Sequence, residues 1–563
     1  MAFSDWLQVA LFILLLLAAV PILGEYMAQV YQGQKTFLSP VLGPLEMGVY
    51  AVAGVNPSDS GDWKKYTQGL LWFNALGFLF LLGLLLLQAF LPLNPQKLAP
   101  MELGVAVNTA MSFMTNTNWQ AYSGESTLSY LSQMLGLGVQ NFVSAATGMA
   151  VMVVLARGLA GKQIKTLGNF WVDLTRSVVY ILLPLSLLLA LALVSQGVVQ
   201  SFSAYPSATT LEGAQQVVPL GPAASQIAIK QLGTNGGGFF GINSAHPFEN
   251  PTPVSNFLQM LAILLIPAAL TWTYGRLVGS LRQGIVLLAA MGVLAGSSLG
   301  LSLWAEFGSN PASGNLPFLE GKETRFGIVN SVIWSVSTTL ASNGSVNAMH
   351  DSFSPLAGGL ALFNMMLGEV VFGGVGAGLY GILMFVILTV FIAGLMVGRS
   401  PEYLGKKIEG AQIRMAALAV ILPSAVVLLF TALAVLLPVG LKVLNNAGPH
   451  GLSEILYAFT SMANNNGSAF GGLTVNTPFY TWLGALAMLI GRFGVILPVM
   501  AIAGQMAQKQ AVPASGGTFP TDGGLFVILL VSVILIIGGL TFFPVLALGP
   551  LVEHGLMLQG KVF

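Results

Sequence analysis

Asn464-Asn465-Asn466-Gly467-Ser468-Ala469-Phe470-Gly471-Gly472 reads, in isolation, as a polar surface turn. Its surroundings forbid that reading. The stretch lies between apolar runs near 415–438 and 478–505, in a 563-residue chain that is 55% hydrophobic and only 7% charged. A mean hydropathy of +0.80, with 33 Phe, is far from soluble globular usage. Only a bilayer solvates so much apolar surface, so the chain reads as an all-α polytopic membrane protein.

A helix that crosses the hydrocarbon needs about 20 mostly apolar residues. Ten runs meet this, near 5–25, 70–91, 134–156, 173–195, 255–275, 283–304, 366–397, 415–438, 478–505 and 525–548. The first lacks a basic segment before it and is expected to remain as a span rather than be cleaved. If the N-terminus lies outside, fourteen Lys and Arg fall in inner connections, six fall outside, and Arg492 falls inside a span, which accounts for all 21. That asymmetry predicts both termini outside.

Other functional classes find little support. The net charge of +1 offers nothing to nucleic acid, and zero cysteines exclude disulfides and thiolate chemistry. His246, His350, His450 and His554 are far apart and show no metal-ligand spacing. There is no phosphate-binding G-x-x-x-x-G-K-[ST] loop and no Asp-Lys-Thr-Gly phosphorylation motif; Gly321-Lys322-Glu323-Thr324 lacks the upstream glycine. The chain is therefore expected to bind no nucleotide, and energy for uphill transport would come from a partner or an ion gradient.

Three further outer connections resemble the opening stretch. Each has a half-length apolar run, a polar turn, and then a full span. The turns align as TNTN at 115–118, TNGG at 234–237, SNGS at 342–345 and NNGS at 465–468, with Asn second in all and Thr117 where the others carry glycine. Four copies in one topological position are an internal repeat rather than four unrelated loops. The expected units are 66–160, 170–280, 283–398 and 412–508, flanked by extra spans within 1–30 and 522–550.

Irregular backbone at membrane depth is tolerated only where protein or water surrounds it. A half-helix returning as an extended segment directs carbonyl oxygens at an axis, and four make a ring able to replace the water around an alkali cation. Glycine permits the required backbone angles. The candidate ion-binding residues are Asn116, Thr117 and Asn118; Thr234, Asn235, Gly236 and Gly237; Ser342, Asn343, Gly344 and Ser345; and Asn465, Asn466, Gly467 and Ser468. Few carboxylates lie in these turns, which favours a dehydrated monovalent ion over a divalent one.

On these residues, and on MTNTNWQAYSGE, GTNGGGFFGINSAHPFENPT, TTLASNGSVNAMHDS and SMANNNGSAFGGL, the chain resembles the superfamily of potassium transporters. Within it the chain is similar to the potassium-binding A subunits of bacterial Kdp complexes, which are potassium-importing P-type ATPases. The resemblance covers essentially the whole chain. It implies K⁺ as the transported ion and a filter around Asn116 and Thr117, Asn235 and Gly236, Asn343 and Gly344, and Asn466 and Gly467. It also implies an influence of Gln120 on affinity, a P-type ATPase catalytic partner, small accessory membrane subunits, and a bacterial inner membrane location. A stand-alone K⁺ channel or symporter of the same superfamily is the alternative; a secondary transporter for an organic solute, with its site at broken helices, is a third.

Within the membrane, Arg492 either snorkels to the inner interface or faces the ion pathway as a cation that discourages leak. The seventh span carries Glu369 and a glycine run that includes Gly373, Gly374 and Gly376. That run either permits close helix packing or breaks the helix to form a gate, as the superfamily implies. Glu369 is then free to attract a cation or to pair with an arginine. Arg399, in a basic inner connection, fits the positive-inside rule, and by family analogy that connection docks the catalytic partner.

Overall fold

The computed structural model describes residues 2–316, 318–513 and 518–561. Among them are ten helices long and apolar enough to cross a membrane, in the order the hydropathy predicts. Phe3–Tyr31 comes first and Gly524–Met557 last. Between them lie four units, each a span, a half-helix, a loop and a second span.

The half-helices are Leu103–Met114, Ala223–Leu232, Gly327–Leu340 and Gly448–Ala463. They are 12, 10, 14 and 16 residues long, too short to cross a bilayer. Burial separates the two spans of each unit. Over an 18-residue apolar stretch of each, 22% is buried in Trp63–Phe90 against 83% in Ser132–Ala160 in the first unit, and 39% in Phe170–Ser195 against 72% in Pro253–Leu277 in the second. The same order holds for Leu281–Glu306 against Ala377–Met396, and for Gly410–Leu436 against Pro478–Ala507. Second spans and half-helices therefore form an inner ring, while first spans and the two extra helices lie on its periphery with most of their apolar surface uncovered.

The seventh span departs from the uninterrupted run expected at 366–397. It begins at Pro355, is helical to Met366, and resumes as Ala377–Met396. Between the halves, Gly368, Glu369, Phe372 and Gly376 all have positive φ, which no helix accommodates. Gly376, at φ +84°, leaves no room for a Cβ, which would meet the Gly148 carbonyl. Of the two readings of the glycine run, the structure has the break.

Two features had no signal in the hydropathy. Ser39–Ala53 forms a 15-residue helix in the connection between the first two spans with only Tyr50 buried, tied down by Glu46 bonded to Tyr50, Arg176 and Tyr180. In the basic connection after the seventh span, Lys406 is buried. Its ammonium donates to the Gly158 and Met506 carbonyls at 2.9 and 2.7 Å, and to Gly161. One lysine thus caps the C-termini of two inner spans.

At the face where the half-helices begin, His450 opens the fourth half-helix and bridges Asp351 (2.8 Å) to Glu553 on the last span (2.7 Å). Burial opposes its charged form, but the two carboxylates raise its pKa from 6.5 to about 10. Since the folded value exceeds the unfolded one, this stabilisation is complete below about pH 6.5 and is lost as pH rises through 10. Burial also raises the nearby Glu454 carboxyl to about 7, so its contribution falls with rising pH at a lower range. The melting temperature is expected to fall by a few degrees between about pH 6.5 and 10. His450→Gln, followed by thermal unfolding against pH, should flatten that upper limb.

Candidate functional site

Each half-helix ends in the same way. Two residues past the helix, φ turns positive at Asn116, Thr234, Ser342 and Asn465; two further on it does so again at Asn118, Gly236, Gly344 and Gly467. The residue between does not, and such alternation turns successive peptide units to one side. The hydrogen bonds show which side. The N–H groups of Thr117 and Asn118 donate to Ser112 O, those of Asn235 and Gly236 to Lys230 O, that of Asn343 to Thr338 O and that of Asn466 to Ser461 O. Loop donors are consumed by the half-helix behind them, so loop acceptors face away from it. The half-helix C-termini, the negative ends of their dipoles, point the same way.

This geometry corrects the register of the first loop by one residue. Counting from the helix ends, Asn118 stands where the other loops have glycine, and Thr117 matches Asn235, Asn343 and Asn466. TNTN offers two Asn at alternate positions, and the sequence match selected the wrong one. Asn is one of the few residues that enters the left-handed region readily, so it serves in place of glycine at φ +55°.

The four loops close a ring. A Cβ on Gly236 would strike the Asn343 carbonyl, one on Gly344 the Asn466 carbonyl, and one on Gly467 the Thr117 carbonyl. Between the first and second loops, Asn116 Nδ2 donates to Thr234 O at 3.0 Å and Asn235 Nδ2 to Asn116 Oδ1 at 2.6 Å, while Gly237 packs on Phe113 and Asn118. Ser342 Oγ donates to Asn465 O at 2.8 Å, and Asn465 Nδ2 to Thr117 Oγ1 at 2.9 Å. The third and fourth loops are braced alike. Asn343 Nδ2 reaches Lys230 O at 3.1 Å and Asn466 Nδ2 reaches Thr338 O at 2.9 Å, each on the preceding half-helix. The Oδ1 atoms of these two Asn accept from the N–H groups of Ser345 and Ser468. All the candidate loop residues that the sequence singles out lie in this ring or directly against it.

Gln120 joins two loops. Its Nε2 donates to Gly238 O at 3.0 Å, and its Oε1 accepts from Gly238 N at 2.9 Å. Two net hydrogen bonds are worth about 1–3 kcal/mol, or roughly 10- to 100-fold. Gln120→Ala is expected to raise the KM for K⁺ on that scale with little change in maximal rate, measured by uptake in potassium-starved cells.

Against the inner end of the ring lies a cavity lined by Ser342, Asn465, Glu369, Gly374, Tyr380 and Arg492. Its volume of about 80 Å³ is several times the ~10–15 Å³ that one water needs. Arg492 is buried and donates to Ser144 O at 3.1 Å; Ser144 Oγ donates to Asn116 Oδ1 at 2.8 Å. Arg492 therefore faces protein and the cavity rather than snorkelling. Glu369 is buried beside Ser342 and Asn466 of the third and fourth loops, its polar neighbours there, and no ion pair joins it to Arg492 among the described residues. The break reaches the ring directly, since Val375 N donates to Thr234 Oγ1 at 2.8 Å. Gly374 packs on Ser342, and Gly373 leaves no room for a Cβ beside the Glu369 carbonyl. Arg399 is set apart: it is exposed, and donates to the Thr518 carbonyl at 3.3 Å.

Comparison with known proteins agrees with this architecture. The family model described as potassium-transporting ATPase A subunit matches residues 10–555. A potassium-transporting ATPase potassium-binding subunit from Methylorubrum extorquens is 58% identical, covering 100% of this chain and 99% of its own length. One from Pseudomonas aeruginosa is 58% identical over 97% of this chain and 98% of its own. In fold, the chain is similar to the potassium transporter TrkH from Vibrio parahaemolyticus, with a TM-score of 0.51 at 12% identity over 88% of this chain and 97% of that one. The chain belongs to the family of potassium-transporting ATPase A subunits.

Proposed function

We infer that this chain is the potassium-binding and translocating membrane subunit of an ATP-driven K⁺ importer, seated in a bacterial inner membrane with both termini outside. The ion sheds its water at the ring formed by the loops at 116–118, 234–237, 342–345 and 465–468. It is held in the cavity beside Glu369 and Arg492, where the broken seventh span serves as the gate. ATP is hydrolysed by a P-type catalytic partner, with small accessory membrane subunits alongside and the basic connection near Arg399 as a docking face.

One observation carries this reading. Four repeated loops each give their first N–H groups to the half-helix behind them and pack against one another in a ring, which supports oxygens turned towards its centre. A ring rich in oxygen dipoles and poor in charged groups suits a bare monovalent cation. The names of the relatives add the ATPase. The test is purification in mild detergent from potassium-starved cells, with ATPase activity measured against K⁺. A co-purifying ATPase that K⁺ stimulates supports the importer. K⁺ uptake by this chain with no ATPase partner would favour a stand-alone channel or symporter instead.

A further inference from the structure

In each half-helix the residue two places before the end receives the loop N–H groups on its carbonyl. These residues are Ser112, Lys230, Thr338 and Ser461. Three carry hydroxyls that stay with their own loops: Ser112 Oγ donates to Trp119 O at 3.0 Å, Ser461 Oγ accepts from Gly467 N at 3.0 Å, and Thr338 Oγ1 lies 3.5 Å from Asn343 Oδ1. The second unit has a lysine, with its side chain fully buried. The Lys230 ammonium forms an ion pair with Glu249, equally buried, and donates to Asn243 Oδ1 at 2.7 Å and Ser244 Oγ at 3.0 Å. Asn243 Nδ2 donates in turn to the Gly236 carbonyl at 2.6 Å. On its other side, the Lys230 carbonyl accepts Asn343 Nδ2 of the third loop at 3.1 Å.

A buried ion pair gives little stability over apolar residues of the same shape, so stability does not account for this one. An uncompensated ammonium one helical turn behind a cation ring would also repel the ion that the ring binds. Glu249 cancels that field, and what the pair supplies is geometry. It holds Asn243, and through Asn243 it fixes the outer rim of the second loop.

We propose that the buried Lys230–Glu249 pair is a positioning device that sets the discrimination of the ring among monovalent cations, by locking the Gly236 carbonyl through Asn243 in one of four otherwise similar loops. It rests on the K⁺ reading of that ring. The device gives the second loop an ion-paired brace where the other three have hydroxyls, and makes the ring only approximately four-fold.

The test uses the complex as purified from membranes, with ATPase activity measured against K⁺ and Rb⁺. Lys230→Met with Glu249→Leu removes both charges together and should assemble at the wild-type yield. Its KM for K⁺ is expected to rise roughly 10- to 100-fold, the usual cost of losing the partner of a cation-ligating group, with maximal rate little changed. The Rb⁺ to K⁺ ratio of KM values should move towards one. Glu249→Gln alone, which leaves the ammonium uncompensated, should raise KM further. If the double variant does not assemble, Lys230→Arg carries the test: it keeps the ion pair but displaces Asn243, and should shift the Rb⁺ to K⁺ ratio at an unchanged melting temperature. Assembled variants with wild-type KM and ratio overturn the proposal. A wild-type complex with no preference for K⁺ overturns the reading of the ring itself.

Discussion

Gly236→Ala is expected to cost the protein its K⁺ selectivity while leaving the ten-span scaffold intact. Gly236 sits at φ +83°, and a Cβ there would collide with the Asn343 carbonyl of the next loop. Left-handed backbone costs a residue with a Cβ about 1–2 kcal/mol, and forcing an extra methyl into a packed site costs about 1–3 kcal/mol more. Relief is available only by moving one loop away from the next, which spoils the spacing of the oxygens. With about 1.4 kcal/mol per ten-fold, K⁺ affinity should fall by roughly 100-fold or more, and the K⁺ over Na⁺ preference should collapse with it. Competition binding or K⁺-stimulated ATPase activity reads both. Asn118→Gly is the informative counterpart. Asn118 occupies the equivalent place in the first loop at φ +55°, so glycine there should be tolerated. Thr117→Gly removes the hydroxyl that receives Asn465 Nδ2 and should be the more damaging of the two.

The second large effect is expected at Glu369. Glu369 is a buried carboxylate with no ion pair among the described residues, only the neutral Ser342 and Asn466 beside it, and the transported cation is expected to supply the missing positive charge. At about 8 Å and an effective permittivity of ~20, unit charges interact by about 2 kcal/mol, close to thirty-fold in affinity. Glu369→Gln should therefore raise the KM for K⁺ by about that factor while the melting temperature holds or rises. A lowered melting temperature with unchanged KM would mean that the carboxylate is a structural brace. Arg492 lines the same cavity, so Arg492→Gln should act in the opposite sense on cation entry.

Much of this was legible because apolar length and polar turns are local signals. The spans follow from hydropathy, and the four loops from a recurring Asn–Gly pattern set between half-length and full-length helices. What escaped the sequence depends on three-dimensional register. TNTN matches the other turns in two ways one residue apart, and only the backbone angles choose between them. The helix at Ser39–Ala53 is too short to span, with Pro at its second position and Pro44 inside it. Lys230 and Lys406 look like ordinary loop cations when charge is counted by side of the membrane. One lies in a buried ion pair behind the ring and the other caps two helices, because their partners are distant carbonyls and carboxylates. A signal for Lys230 did exist: aligned by helix end, it stands alone against Ser112, Thr338 and Ser461.

The most direct measurement of the central claim is the anomalous signal of Rb⁺ or Tl⁺ in crystals of the purified complex. The account predicts a peak enclosed by residues 116–118, 234–236, 342–344 and 465–467, lost on Gly236→Ala and displaced by K⁺ but not by Na⁺. A well-ordered ring with no peak in it, or a peak unaffected by Gly236→Ala, would contradict it.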